Sequence, residues 1–198
     1  MESETIIGET STNNNNGQQQ TTQPLLRKKQ LSVMVAVDES DISLYALKWT
    51  LEHVFKKHVV DPVMGEEVDP EPDPEQGMVT LVHAIEPFER YTFPAEPSMY
   101  TSASMVESVR KAQHQNAVEL LSRAFQICRK AKIKAETLIL EGDTKEMLCQ
   151  AVEEMHFDLL VVGSRGLGAI KRAFLGSVSD FCAHHAKCPV LIVKPPHK

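Results

Sequence analysis

An α/β fold, a doubly wound five-stranded parallel sheet with helices on both faces, is predicted by three features of the sequence. Apolar runs of strand length alternate with amphipathic stretches of helix length in the order βαβαβαβαβ. The strand runs are continuously apolar, which is the pattern of strands buried on both faces. Small or acidic residues stand at the strand ends, Asp38, Ala84 and Gly163 among them. Right-handed crossovers convert such an order into a parallel sheet covered on both sides, and ligands of these sheets bind at the carboxyl ends of the strands, where the winding reverses.

The first strand is "LSVMVAVD", residues 31–38. Ser40 then caps a helix in which Leu44, Leu47, Leu51, Val54 and Phe55 recur at helical spacing, with Trp49 beside them as a bulky packing residue. Residues 59–77 hold seven acids, four prolines and no Lys or Arg, a self-repelling, helix-breaking composition that predicts a flexible acidic loop. "MVTLVHAI" is the second strand, followed by an irregular connection rich in Pro and Tyr. A long amphipathic helix is predicted over 104–131, its apolar face made of Val109, Ala112, Ala117, Leu120, Ala124, Ile127, Cys128 and Ala131. "IKAETLIL" is the third strand. Asp143 followed by Glu146 signals the next helix start, with Met147, Leu148, Ala151, Val152 and Met155 as its buried face. "FDLLVVG" is the fourth strand, Ser177 caps a last helix to about residue 186, and "CPVLIVK" is the fifth strand. Met34, Met147 and Met155 are expected to fill gaps in the core.

At 198 residues and 42% hydrophobic the chain can bury one sizeable core, so the expected organisation is a single domain over 31–195 behind a disordered Asn/Gln-rich tail at 1–30. A net charge of −6 argues against a nucleic-acid or acidic-membrane partner. No stretch approaches the roughly 18 apolar residues of a membrane helix, and the start "MESETIIGET" has the composition of neither a secretory signal nor a transit peptide. The cytoplasm, with the nucleus as an alternative, is the expected location. Cys128, Cys149, Cys182 and Cys188 show no CxxC spacing and suit reduced thiols.

The chemistry-bearing stretch is "VVGSRGLGAIKRAFLGS", residues 161–177. A Walker loop would need Lys and then Ser or Thr after its last glycine, but Ala169 and Ile170 follow Gly168. A dinucleotide fingerprint begun at Gly166 meets Lys171 where its last glycine should be. What remains is Gly163, two residues, Gly166, nine residues, then Gly176 and Ser177. Glycines at 163 and 166 would let the backbone approach a ligand closely. Gly176 and Ser177 would open a helix whose free N–H groups and positive dipole end favour phosphate.

This G-x2-G-x9-G-[ST] spacing, with "VAVDES" at the first strand and "CPVLIVK" at the last, resembles the ATP-binding branch of the universal stress protein family, over roughly residues 31–195 and in a plant-type layout. The resemblance implies a Rossmann-like sheet of the adenine nucleotide alpha hydrolase type with strand order 3-2-1-4-5. It implies that Asp38 binds ribose or adenine-side groups while the backbone near Ala36 and Val37 lines the base. Ala84 would meet adenine through its main chain, Val162, Gly163 and Gly166 would flank ribose and phosphates, and Gly176, Ser177 and Val178 would hold the phosphate tail. Arg165 lies in the same loop, with Lys171 and Arg172, where it could neutralise phosphate charge. The implied ligand is ATP, or AMP or ADP, with Mg2+ accompanying ATP, and the implied partner is a second copy of the chain joined through the last strand, Val190 to Val193. The expected function is nucleotide-dependent dimer or partner interaction in stress response or signalling.

The motif supplies no placed general base, so no catalytic residue is assigned; a slow ATP-hydrolysing or self-phosphorylating enzyme and a ligand-free dimeric scaffold are the alternatives. "DESDIS" lacks the glycines of the pyrophosphatase loop expected of faster enzymes in the wider superfamily. "GSRG" resembles the GxxG clamp of an RNA-binding KH domain, but it follows a buried strand in an acidic chain. Cys182, His184, His185 and Cys188 lack the geometry of a zinc site on one helix, and no metal site is expected. His83, inside an apolar strand, reads as a hydrogen-bonded core histidine.

Overall fold

The computed structural model describes residues 30–55, 77–87, 103–165 and 175–196. The expected tail up to residue 29, nearly all of the acidic loop, most of the Pro/Tyr-rich connection, and Gly166, Gly168, Lys171 and Arg172 of the glycine run lie outside the described residues.

The elements follow the predicted order: β1 (Ser32–Ala36), α1 (Asp41–Thr50) with a π-helical turn at Leu51–Phe55, β2 (Met78–Ile85), α2 (Ala103–Lys130), β3 (Ala135–Glu141), α3 (Thr144–Met155), β4 (Leu159–Gly163), α4 (Ser177–His185) and β5 (Val190–Val193). All strand pairs are parallel and the order is β3-β2-β1-β4-β5. The chain winds outward from β1 to β3 and then crosses back past β1 to β4. With right-handed crossovers, that reversal puts α1 and α2 on one face and α3 and α4 on the other. Between β1 and β4 lies the switch point at which helices on opposite faces diverge.

Period-2 side-chain alternation gives each strand a foot in both cores. Val33, Val35 and Val37 of the first strand run join Leu47, Leu81, Leu120 and Ala124 on the α1/α2 face. Met34 joins Leu148, Val152, Leu160 and Cys182 on the α3/α4 face. Because β1, β2 and β4 bury residues toward both layers, their runs are continuously apolar. The edge strand β3 is instead only partly covered, with Glu136, Thr137 and Glu141 exposed, and it starts at Ala135 rather than Ile133.

Three packing expectations require correction. Met155 ends α3 on its solvent side, 47% exposed, and does not fill the core. In α2 the buried residues begin only at Ala117; Ala112 and Ala131 are exposed, and Ala131 lies past the helix end. A helix of 28 residues is about 42 Å long, whereas strands of four to eight residues reach about 26 Å at most, so the first turns of α2 overhang the carboxyl edge of the sheet. Helix α1 changes to a π turn after Thr50, whose buried hydroxyl donates to the Ala46 carbonyl at 2.8 Å, the kind of back-bonding that bends a helix.

Candidate functional site

The end of β1 is held by side chains of its own loop. Ser40 is the N-cap of α1: its hydroxyl accepts from the Ser43 N–H at 3.2 Å, as the sequence predicts. The Ser40 backbone N–H and hydroxyl both donate to Oδ1 of Asp38. Ser43 Oγ accepts from the Asp38 N–H at 3.1 Å and donates to the Asp38 carbonyl at 2.8 Å. Asp38 is therefore tied through both backbone groups and one carboxylate oxygen, and among the described residues no group donates to Oδ2. The "DES-DIS" stretch thus presents one carboxylate oxygen in a preset direction at the carboxyl end of the sheet. The Ser43 contacts are the part that the sequence reading lacks; a Ser five residues after an Asp at a strand end is the signal that points to them.

The end of β4 is built with the same economy. Ser164 leaves the sheet with its N–H bonded to the Val193 carbonyl at 2.9 Å. Its carbonyl accepts from the Gly176 N–H at 2.8 Å and from the Ser179 hydroxyl at 3.3 Å. The two ends of the glycine run are thus joined at their base. A Cβ at Gly176 would stand 3.2 Å from the Arg165 Cα, and one at Gly163 would stand 3.0 Å from the Ile42 Cγ2 in the first turn of α1. At these two positions the space freed by glycine is taken up by the chain itself, as the loop base closes and α1 settles over β4.

The predicted capping role of Ser177 is corrected. Gly176 is the N-cap of α4 and Ser177 is its first residue; among the described residues no side chain caps this helix. The buried Ser179 hydroxyl instead donates backward, to the carbonyls of Gly176 at 3.0 Å and of Ser164. By contrast, α1 is capped by Ser40 and α3 by Asp143, whose Oδ1 accepts from the N–H groups of Lys145 and Glu146. Helix α4 therefore begins with backbone N–H groups that no cap side chain among the described residues serves, at the positive end of its dipole.

The register brings these two constructions together. Val35 pairs with Val161, so Asp38 and Ser164 leave adjacent strands at the same level. Ala36, Val37, Val162 and Gly163 lie at this junction, with Ser177 exposed and Val178 packed against the α3/α4 core. Arg165, half-buried, follows directly. Ala84 sits one strand away, level with Leu140 of β3. A cavity of about 440 Å³ lies under the α2 overhang, lined by Ile85, Pro87, Arg110, His114 and Glu141, but none of the predicted site residues lines it.

The cysteine and histidine run disperses. Cys182 is fully buried, while His184 and His185 are exposed and turn Nδ1 to the carbonyls of Asp180 and Phe181, both at 2.8 Å. Burial pushes the Cys182 thiol up to about 12, with the neighbouring Cys149 adding to the effect. Among the described residues no cluster of three His, Cys, Asp or Glu side chains is placed to hold a metal ion, and no described helix is long and apolar enough to cross a membrane.

A doubly wound parallel sheet, with a fixed carboxylate and a glycine-capped helix start at the carboxyl ends of the adjacent strands β1 and β4, defines an α/β protein of the Rossmann-like class. Comparison with known proteins narrows this. The model of the universal stress protein family matches residues 31–194, and the chain belongs to that family. A universal stress protein A-like protein of Arabidopsis thaliana is 32% identical over 171 residues, covering 82% of this chain and 89% of its relative. The solved structure of a universal stress protein family protein from Arabidopsis thaliana with AMP bound is similar at a TM-score of 0.54 and 28% identity, over 84% of this chain and 92% of that one. A universal stress protein from Lactobacillus plantarum shares the fold, at a TM-score of 0.60 and 17% identity over 82% of this chain and 97% of that one.

Proposed function

We propose that the chain binds an adenine nucleotide at the β1/β4 switch point and uses occupancy of that site to bias its association with partners in stress response or signalling. The observation that carries this reading is the uncapped start of α4, held in register with Asp38 by the bond from Gly176 to Ser164. Helix N–H groups and the dipole favour a phosphate, and a carboxylate oxygen with no donor among the described residues is suited to accept from ribose hydroxyls. The AMP-bound Arabidopsis structure supports an adenosine phosphate as the ligand. ATP and ADP carry the same unit, and Mg2+ accompanying ATP would be held chiefly by phosphate oxygens and water.

The reading extends to a homodimer through β5. This strand has β4 as its one neighbour among the described strands. The carbonyls of Pro189 and Val193 accept from Leu160 and Ser164, so the backbone groups of Val190 and Ile192 face away from the sheet, where a second copy could pair.

The test is mass spectrometry of small molecules released on denaturing freshly purified protein, followed by calorimetric titration with AMP, ADP and ATP. Co-purified adenine nucleotide, or saturable binding weakened by Asp38→Ala, is expected. No released nucleotide and no binding of any of the three at about 1 mM, a weak-affinity limit of about −4 kcal/mol, would overturn the reading.

A further inference from the structure

We infer that His83 is a positioning residue for this site, acting through the carbonyl of Val37; the inference rests on the nucleotide-binding reading above. The β1–β2 register ends at the pair Ala36 and Val82. Beyond it the strands are linked by the Val37 N–H, which donates to the Val82 carbonyl at 2.8 Å, and by the His83 ring, whose Nδ1 lies 2.8 Å from the Val37 carbonyl oxygen. A carbonyl only accepts, so Nδ1 carries the hydrogen and donates. Nε2 of the neutral ring is then the acceptor nitrogen. Both backbone groups of Val37 are therefore fixed from β2, and both backbone groups of Asp38 are fixed by Ser43. The chain runs from the imidazole through Val37 to the Asp38 carboxylate with no freely rotating link between them.

This arrangement does what a ladder bond could not do. A side chain reaching across at the last residue of β1's run holds the strand ends in place without continuing the sheet, so the backbone of Ala84 and the Asp38 loop are set against each other at the edge where the base of a nucleotide would enter. Position 83 falls on the face of Val79 and Leu81, both fully buried, yet His83 itself is only half-buried. An aliphatic residue would satisfy that apolar face as well. The imidazole is required for the donor it carries at a fixed height above Cβ. Without it, the Val37 carbonyl loses its partner and the Asp38 loop gains freedom that a ligand must remove on binding, which lowers affinity without removing any ligand contact.

The substitution His83→Asn keeps an N–H donor on the atom attached to Cγ, where Nδ1 is, and His83→Gln places its amide one bond further out, near the level of Nε2. His83→Leu removes the donor and keeps the bulk. AMP affinity of the four proteins is measured by calorimetry, with thermal unfolding of each as a check on folding. The expected result is roughly tenfold weaker binding for His83→Leu and His83→Gln and recovery to within about threefold of wild type in His83→Asn. Equal affinity in wild type and a folded His83→Leu, or no recovery in a folded His83→Asn, would overturn the positioning role while leaving nucleotide binding intact. Absence of AMP binding by the wild type overturns the nucleotide reading itself and this inference with it. Should His83→Leu fail to fold, the contrast between His83→Asn and His83→Gln decides: equal affinities reject the role.

Discussion

The carbonyl of Ser164 and the backbone N–H of Gly176 meet at 2.8 Å, closing the glycine run at its base before any ligand is considered. This bond sets where α4 begins, and the start of α4 is half of the candidate site. Replacing Gly176 by valine sets a Cβ against the Arg165 Cα, which is backbone and cannot rotate away. Overpacking of this kind costs about 1–3 kcal/mol. The expected outcome is a folded protein that melts several degrees lower and binds AMP at least tenfold more weakly, read by thermal unfolding and calorimetry. Unaltered affinity would show that the loop base does not govern the site.

Ser43 is expected to matter more than its place inside a helix suggests. Ser43→Ala removes the acceptor of the Asp38 N–H and the donor to the Asp38 carbonyl together. Leaving partly buried backbone groups unpaired costs about 1–3 kcal/mol. At this chain length that lowers the melting temperature by about 3–10 °C. Nucleotide affinity should fall alongside, because the Asp38 loop is freed. A Ser43→Ala protein with unchanged melting and affinity would refute the clamp.

Two buried thiols make alkaline stability a further test. Burial pushes Cys182 up to about 12 and Cys128 up to about 11, from an ordinary value of 9.0. Between those limits the folded state retains protons that the unfolded state has released, so stability falls as pH rises. The contribution is fully present below pH 9 and is lost progressively through about 11 and 12. Denaturant midpoints measured from pH 8 to 11 should decline in the wild type and decline less steeply in the Cys128→Ala, Cys182→Ala double variant. Parallel slopes would contradict it.

The edge of β5 yields a prediction about assembly. Ile192 directs its N–H away from β4, so Ile192→Pro removes a hydrogen that the sheet does not use. Light scattering after size exclusion should find a dimer in the wild type and a monomer in this variant, with the melting transition of the monomer retained. A variant that remains dimeric would place the interface elsewhere.

Much of the fold was legible because burial on two faces leaves a direct imprint on composition. Val33, Met34 and Val35 are all fully buried, which a strand achieves only between two layers, and the helices between strands carry apolar stripes of matching period. Ser40 and Asp143 were legible as caps because their chemistry is local, completed within three residues. The cap of α4 was misassigned for the same reason. Ser177 has a capping side chain, but the helix starts at the point where Gly176 is bound by Ser164, and that decision is made across the loop. Met155 and Ala112 misled because periodicity tells which face of a helix is apolar and says nothing about how far the sheet beneath it extends.

The sequence by itself determined the parallel sheet, its alternation with helices, and the glycine spacing after the fourth strand, since each depends on residue types at fixed separations along the chain. Tertiary structure alone decided that Ser164 meets Gly176 and Ser179, that Ile42 occupies the space left by Gly163, and that His83 reaches Val37. Those contacts join segments far apart in sequence through single hydrogen bonds and single atoms. Their geometry is set by the register of the strands and the seating of the helices, which no local pattern encodes.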